Sequence, residues 1–416
     1  MSSALENIFS EENMLSYGGA CLKLAEEVPH VQKRKGLDTL VIPSRGAVPF
    51  FLGMVHSLKD LSMYSEDHQN FVDNLGVQSM LAPLLPEDSV VARTARNKKI
   101  RVLLAPFTAD LNVEKFDPTQ DNTQYTSMTR EYWANVTAAM FKGAHERAKD
   151  PYFRSFTDVI LKHVERRDEI ADKYVRFPTV ERFAMIDTVI SGRASNEILK
   201  VFERLAKERG NPNLNPYSFL IIDENGRKLV PDFKRYLEDK YNWGNAQLMR
   251  IPRIVSEDEG ASLLGVSAVM YPSIMKSSRA LRVGDDNRVF FVGAGSWRLG
   301  DDLHKADRKD KADFERFMDL VYSAIDANFA KEYSGIADSD ELARFRAERQ
   351  SFLEYAEKHR VFMGHRADAT PLKLNQSLIY HSVYETSSHV VHVPFEPKSN
   401  TEVLAELVSL PGVKIA

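Results

Sequence analysis

The 416-residue chain has only one cysteine, Cys21. A single cysteine excludes an internal disulfide framework and a zinc site built from cysteines. Scarce cysteine is typical of proteins that work in a reducing compartment. The fold must therefore depend on a hydrophobic core, and a chain of this length with 43% hydrophobic residues can build a sizeable one.

The sequence also lacks a long apolar run and a strong excess of one charge. No stretch approaches the roughly 20 apolar residues of a membrane-spanning helix, and the amino terminus, rich in Ser, Glu and Asn, does not resemble a signal peptide. The formal net charge of −4 gives no global field that would recruit nucleic acid. We expect a soluble, cytoplasmic protein with no membrane partner. Internal repeats and catalytic serine or cysteine signatures are also missing.

The clearest local pattern lies in residues 183–199, FAMIDTVISGRASNEIL. Its apolar opening predicts a buried strand, and the apolar residues after it recur at helical spacing. Ser191, Gly192 and Ser195 lie where that helix should begin, and there unpaired N–H groups and the positive end of the helix dipole favour a phosphate. Asp187, at the carboxyl end of the strand, is expected to face the crevice where ligands of parallel sheets bind.

A second turn of this kind occurs near the amino terminus. Residues 37–42 predict a strand and residues 47–58 predict a helix. Ser44, Arg45 and Gly46 form the turn between them. An anion-binding turn and a plain connection with an exposed arginine are both compatible with this pattern.

Together the two segments resemble the type I phosphoribosyltransferases. Residues 186–195 resemble the family's phosphoribosyl-pyrophosphate loop, which runs from apolar residues through one or two acids into a turn rich in Thr, Ser and Gly. Residues 43–47 resemble its pyrophosphate loop. The chain departs from the family pattern at Thr188, which replaces the second acid, and at Arg193, which stands near a position that is often glycine. The resemblance covers at most half of the chain.

The resemblance implies that the protein binds phosphoribosyl pyrophosphate with Mg²⁺ and transfers the phosphoribosyl group to a base or related acceptor. The implied catalytic residues are Asp187, near the developing positive charge of the sugar, and Arg45, on the pyrophosphate. The implied substrate-binding residues are Ser44, Gly46, Thr188, Ser191, Gly192, Arg193, Ala194 and Ser195. No protein ligand of the metal is identified, since Mg²⁺ is often bound through phosphate oxygens and waters.

Two other functions stay open on the same fold. One is a regulator that binds a nucleotide or phosphoribosyl ligand without turnover, which the missing second acid favours. The other is a glycosidic-bond hydrolase or a nucleotide-processing effector. Fold alone does not decide among them.

The expected fold is α/β, with a mostly parallel sheet and helices on both faces, as in a type I phosphoribosyltransferase-like core. We assign residues 1–304 to this core, with a largely helical insertion at about 108–178, and residues 305–416 to a helical and mixed C-terminal extension. An apolar stripe in this extension would pack on the core or on a second subunit, which leaves a homo-oligomer open. The stripe consists of Phe314, Phe317, Met318, Val321, Ile325 and Phe329.

Three further segments have two interpretations each. The basic segment 93–99 is either a mobile loop over the site or a solvated turn. Residues 223–228 either contact the acceptor or metal or form an ordinary tight turn. Residues 293–302, with Trp297 and two acids, either stack a base and hold magnesium or bury a tryptophan. The scattered histidines of the tail predict no metal site.

Overall fold

The computed structural model describes residues 3–79, 99–104, 107, 123–154, 179–225, 229–242, 244–255, 278–283, 289–293, 303–335 and 339–359. Some predicted features lie outside these residues. They are most of the basic segment 93–99, the turn that follows Gly293, and the histidine-containing tail.

The described elements alternate between strands and helices along much of the chain. The strands are β1 Thr39–Ile42, β2 Leu75–Ser79, β3 Ile100–Leu104, β4 Phe183–Val189, β5 Tyr217–Asp223, β6 Ala246–Ile251, β7 Ser278–Val283 and β8 Val289–Gly293. The helices are α1 Ser3–Ile8, α2 Glu11–Lys35, α3 Val48–Leu61, α4 Glu66–Asn74, α5 Thr123–Ala139, α6 Ala144–Lys149, α7 Arg193–Glu208, α8 Pro231–Asn242, α9 Leu303–Ser334 and α10 Asp340–Lys358. Single 3₁₀ turns occur at Arg45–Ala47 and Pro212–Leu214.

Six of the strands form one sheet in the order β2-β3-β1-β4-β5-β6, and every neighbouring pair in it is parallel. Strands β7 and β8 form a separate antiparallel pair. The prediction of an α/β fold with a mostly parallel sheet is thus confirmed. After β1 the chain adds β2 and β3 toward one edge of the sheet, and after β4 it adds β5 and β6 toward the opposite edge. The carboxyl ends of β1 and β4 therefore flank a switch point, where parallel sheets bind their ligands.

Helices cover both faces of this sheet, as predicted. Because successive side chains of a strand point to opposite faces, Ala184 and Ile186 of β4 join one core, whereas Phe183 and Met185 join another. The first core is completed mainly by α2, α3, α9 and α10, and the second by α5, α7 and α8. Burial on both faces explains why the strands have nearly continuous apolar sequences.

Helix α9 belongs to the first core. Four residues of its predicted apolar stripe are fully buried there, namely Phe317, Met318, Val321 and Ile325. This stripe packs on the core of its own chain. Residues 360–416 of the predicted extension lie outside the described part of the chain.

Helix α5, from the predicted insertion, packs against α7 in the second core. Trp133, Val136 and Met140 are buried in it. The helix ends at Ala139, and α6 begins at Ala144. Helix α5 of the predicted insertion thus supplies part of one layer of the fold.

The crossing of α2 and α9 depends on Gly18. A Cβ atom at Gly18 would lie 2.6 Å from the backbone carbonyl carbon of Ala324, whereas one at Gly19 would lie 3.7 Å from the Asn328 side chain. We expect Gly18→Ala to lower the free energy of unfolding by about 1–3 kcal/mol, because backbone atoms cannot move aside easily.

Gly19→Ala is the matched control for this change. It lies in the same helix and meets only ordinary contact, so it should be neutral or stabilising by up to about 1 kcal/mol. Urea unfolding of the two variants measures both effects. Equal stability of the two would show that α2 and α9 do not cross at Gly18.

Candidate functional site

The carboxylate of Asp187 joins the two turns that the sequence singled out. Ser44 Oγ donates a hydrogen bond to Asp187 Oδ1 at 2.7 Å, and Ser195 Oγ donates one to Asp187 Oδ2 at 2.7 Å. The backbone N–H of Thr188 adds a third, to Oδ1, at 2.9 Å. A single side chain therefore connects the turn after β1, the end of β4 and the first turn of α7.

Two glycines let these segments approach one another. A Cβ atom at Gly46 would lie 2.6 Å from Thr188 Oγ1, so the turn after β1 rests directly on the end of β4. Gly192 has a φ of 77°, a left-handed conformation that side chains disfavour, and a Cβ atom there would lie 2.0 Å from a ring carbon of Phe233. A larger residue at position 46 or 192 would displace the neighbouring side chain.

Helix α7 begins directly after this tight turn. Its N-cap is Gly192, and within the described part of the chain no side chain caps it. The N–H groups of the first turn of a helix have no intrahelical acceptor. The segment before α8 also contacts this turn, since Val230 N–H donates to the carbonyl oxygen of Ser191 at 3.1 Å. The result is an uncapped, positively polarised helix end at the switch point.

The predicted site residues divide into a buried and an accessible set. Asp187 and Ser195 are each 1% exposed and Ser44 is 8% exposed, so these three lie beneath the surface. Arg193 is exposed, and the other accessible residues are only partly so. These are Gly46, Thr188, Ser191 and Ala194.

This arrangement changes the role expected for Asp187. The sequence suggested a direct hydrogen bond to a ribose hydroxyl. In the structure both of its oxygens already accept hydrogen bonds from protein groups, and the side chain has almost no exposed surface. Asp187 positions the two turns and does not present a free oxygen to a ligand.

The same hydrogen bonds determine whether the two serine hydroxyls can act as donors or as acceptors toward a ligand. Ser44 and Ser195 each use their only hydroxyl proton on the Asp187 carboxylate. Neither hydroxyl can then donate to a phosphate oxygen, although each oxygen can still accept. A phosphate at this site would depend on backbone N–H groups and basic side chains.

Arg130 of α5 is a neighbour of this site that the sequence analysis missed. It is 7% exposed, and its Nη1 atom donates to the carboxylate of Glu197 in α7. Burial raises the pKa of the Asp187 carboxyl group, while the three hydrogen bonds and the positive charge of Arg130 lower it and offset only part of that effect. No local sequence signal identifies Arg130, because it is 67 residues from its partner.

Arg45 lies in the 3₁₀ turn Arg45–Ala47, close to the end of β4, and the predicted role of its side chain lies outside what the structure describes. Among the described residues, no group of three His, Cys, Asp or Glu side chains is placed to hold a metal ion. Across the same residues, none of the helices combines the length and apolar character needed to span a membrane.

Comparison with known proteins gave no match to this chain among protein-family models, curated proteins or solved structures.

The buried Asp187 predicts a pH dependence of stability. Folding raises the pKa of this carboxyl group above its ordinary value of 3.8, so the folded protein holds the proton more tightly than the unfolded chain does. Its contribution to stability is therefore present at lower pH and is lost as the pH rises from about 4 through the raised pKa.

As the pH rises across that range, the parent should lose this contribution, whereas Asp187→Asn has no carboxyl group to titrate. We therefore expect the unfolding free energy of Asp187→Asn minus that of the parent to increase by about 1.4 kcal/mol for each unit of pKa shift. Arg130→Met should make the total loss larger and extend it to higher pH, because the charge that opposes the effect of burial on the pKa is gone. Urea unfolding from about pH 4 to about pH 7, a range that begins near the ordinary carboxyl pKa and extends above it, measures both. A pH-independent difference for Asp187→Asn would contradict the assignment.

Proposed function

We propose that the carboxyl ends of β1 and β4 bind a ligand with phosphate groups at two positions, and that this ligand is phosphoribosyl pyrophosphate. The observation that carries the proposal is the shared carboxylate of Asp187. Ser44 and Asp187 are 143 residues apart in sequence, yet they meet at the switch point of the sheet. The resemblance of both turns to those of the type I phosphoribosyltransferases supplies the identity of the ligand.

The first turn of α7 would hold the 5′-phosphate. Its N–H groups and the helix dipole favour an anion, and the exposed Arg193 adds a positive charge. Because the hydroxyl protons of Ser44 and Ser195 are already used, the phosphate contacts would come from Ser191 and from the backbone of residues 192–195.

The turn after β1 would hold the pyrophosphate. Gly46 brings its backbone against Thr188, so a ligand that spans both turns would cross the partly exposed Thr188 side chain. In this proposal Thr188 contacts the ribose and Arg45 faces the leaving group. Asp187 acts through Ser44 and Ser195, whose positions it fixes.

Mg²⁺ would bind at this site through phosphate oxygens of the ligand and not through a set of protein side chains. The nearest carboxylate, Asp187, has both oxygens occupied, and Mg²⁺ commonly binds phosphate oxygens and keeps several waters. When bound, the ion would neutralise charge on the pyrophosphate. The chain's own contribution to phosphoribosyl transfer is to fix the two phosphates and to keep the sugar between them.

A regulator that binds the same ligand without turnover is the second candidate. It is favoured by a specific observation, since Thr188 replaces a second acid and the one acid present is enclosed by protein donors. No free carboxylate from these two positions would then stabilise a cation-like sugar.

One experiment distinguishes the two candidates. Phosphoribosyl pyrophosphate is titrated calorimetrically into the protein with Mg²⁺, and pyrophosphate release is measured with a panel of purine, pyrimidine and related bases. Saturable binding with release supports the transferase, and binding without release supports the regulator. In the transferase, Asp187→Asn should lower turnover by orders of magnitude while the protein stays folded. No saturable binding at all would refute both.

A charge at the start of α7 tests where the phosphate binds. We expect Arg193→Met to weaken binding of phosphoribosyl pyrophosphate about tenfold or more, as for loss of a charge-assisted hydrogen bond. Lys200→Met is the matched control, because Lys200 is also exposed on α7 but lies about two turns away. Equal weakening by both variants would indicate a general charge effect and would place the phosphate elsewhere.

A further inference from the structure

Helix α4 is held on the fold by few side chains. It has nine residues, and only two of them, His68 and Phe71, are buried. Ser65 at its N-cap makes no capping hydrogen bond through its side chain with the described residues. At the surface an exposed ion pair joins α4 to α2, with Lys33 Nζ 2.7 Å from Asp67 Oδ1, and such pairs contribute little to stability. A helix with so few buried contacts can open locally while the rest of the protein stays folded.

His68 differs from Phe71 because its side chain can take up a proton. The residue is 5% exposed, and its ring packs edge to face on the ring of His30 in α2, with the centroids 5.3 Å apart. Neither ring nitrogen has a hydrogen-bond partner among the described residues, and the carbonyl oxygen of Ala25 faces the ring without completing such a bond. A neutral imidazole has one N–H group, whereas the protonated ring has two and a charge. Protonation would therefore bury a charge without hydrogen-bond partners, which is strongly unfavourable.

Asp67, a carboxylate near His68, is already engaged with α2. Its Oδ1 atom accepts a hydrogen bond from Lys33 Nζ at 2.7 Å, and its Oδ2 atom lies 4.0 Å from Nδ1 of His30. His30 is more than half exposed, so it can be protonated in water and pair with this second oxygen. A protonated His30 would also repel a positive charge on His68. Asp67 is therefore not free to compensate that charge.

Glu26 of α2, a second carboxylate near His68, also has partners. Its Oε1 atom accepts a hydrogen bond from the Tyr333 hydroxyl group at 2.6 Å, and its Oε2 atom lies 3.5 Å from Lys23 Nζ. The two carboxylates that act on His68 among the described residues are thus both in use. A protonated His68 would have to leave its buried position to be stabilised, and water would then solvate it.

We propose that His68 is an acid-sensitive anchor: its neutral ring holds α4 against α2, and protonation of the ring releases α4 from the rest of the protein. The release would also uncover Phe71, the other buried residue of this helix. Helix α4 leads directly into strand β2, so the connection at Leu75 would move with it. The inference does not depend on the function proposed for the switch point.

The direction of the pH dependence follows from the surroundings of His68. Burial and the nearby His30 lower the pKa of His68 below its ordinary value of 6.5, and Asp67, Glu26 and the Ala25 carbonyl group offset only part of this effect. The docked helix therefore binds the proton less tightly than the released one does. The contribution of His68 is present above about pH 6.5 and is lost as the pH falls through the lowered pKa. Across that range the equilibrium constant for opening should rise by up to about tenfold for each pH unit.

Amide hydrogen exchange of the unaltered full-length protein, from about pH 5 to about pH 8, measures this opening. Each rate is divided by the rate of an unstructured chain at the same pH, which gives a protection factor. We expect protection in α4 to fall by up to about tenfold for each pH unit below about 6.5, whereas α7, on the other face of the sheet, should lose none. Protection in α4 that does not change with pH would overturn the proposal. Equal losses in both helices would show global unfolding and would also overturn it.

Variants then test the histidine itself. His68→Gln removes the titrating ring and should make protection in α4 independent of pH over the same range. His145→Gln is the matched control, because His145 is exposed on α6, and it should keep the profile of the parent. A loss in acid that persists in His68→Gln would overturn the proposal. Because glutamine fills the space of the ring poorly, His68→Leu serves as a second variant that does not titrate. If neither variant folds, the comparison of α4 with α7 in the parent decides the question.

Discussion

The structure around the switch point depends on one buried carboxylate. Asp187 lies between two turns that are far apart in sequence, and its three protein donors replace the water that it loses on folding. A buried charge without such partners would be strongly unfavourable. Removing any one donor would therefore affect both turns, because the same side chain holds them. The positive charge of Arg130 extends this dependence to α5, in the layer that covers the second face of the sheet.

The sequence predicts two regions that are added to the core. Helices from both regions complete the fold. Helix α5 covers one face of the sheet with α7 and α8, and helix α9 covers the other with α2 and α3. Since parallel strands are apolar on both faces, a sheet without these helices would expose a large apolar surface. Helix α5 of the predicted insertion and helix α9 of the predicted extension are thus parts of the two helical layers that cover the sheet.

Much of the sheet could be predicted from local pattern, and much of the site could not. Strand β5, Tyr217–Asp223, can be predicted from the sequence, because its apolar run is long and is bounded by turn residues. Strand β2 was missed, since its five residues, Leu75–Ser79, include a glycine and two polar residues and give no clear period. The burial of Asp187 was also missed, because it depends on a contact with Ser44 across 143 residues. Local patterns therefore located the turns but not the state of the side chain between them.

Phe233 sits against the tight turn before α7, so positions 192 and 233 share one space. A residue with a side chain at position 192 would have to adopt the left-handed backbone conformation, and position 233 would need a smaller residue. The two positions should thus change together during evolution, with the reduction at 233 coming first. Lineages that keep the aromatic ring are committed to glycine.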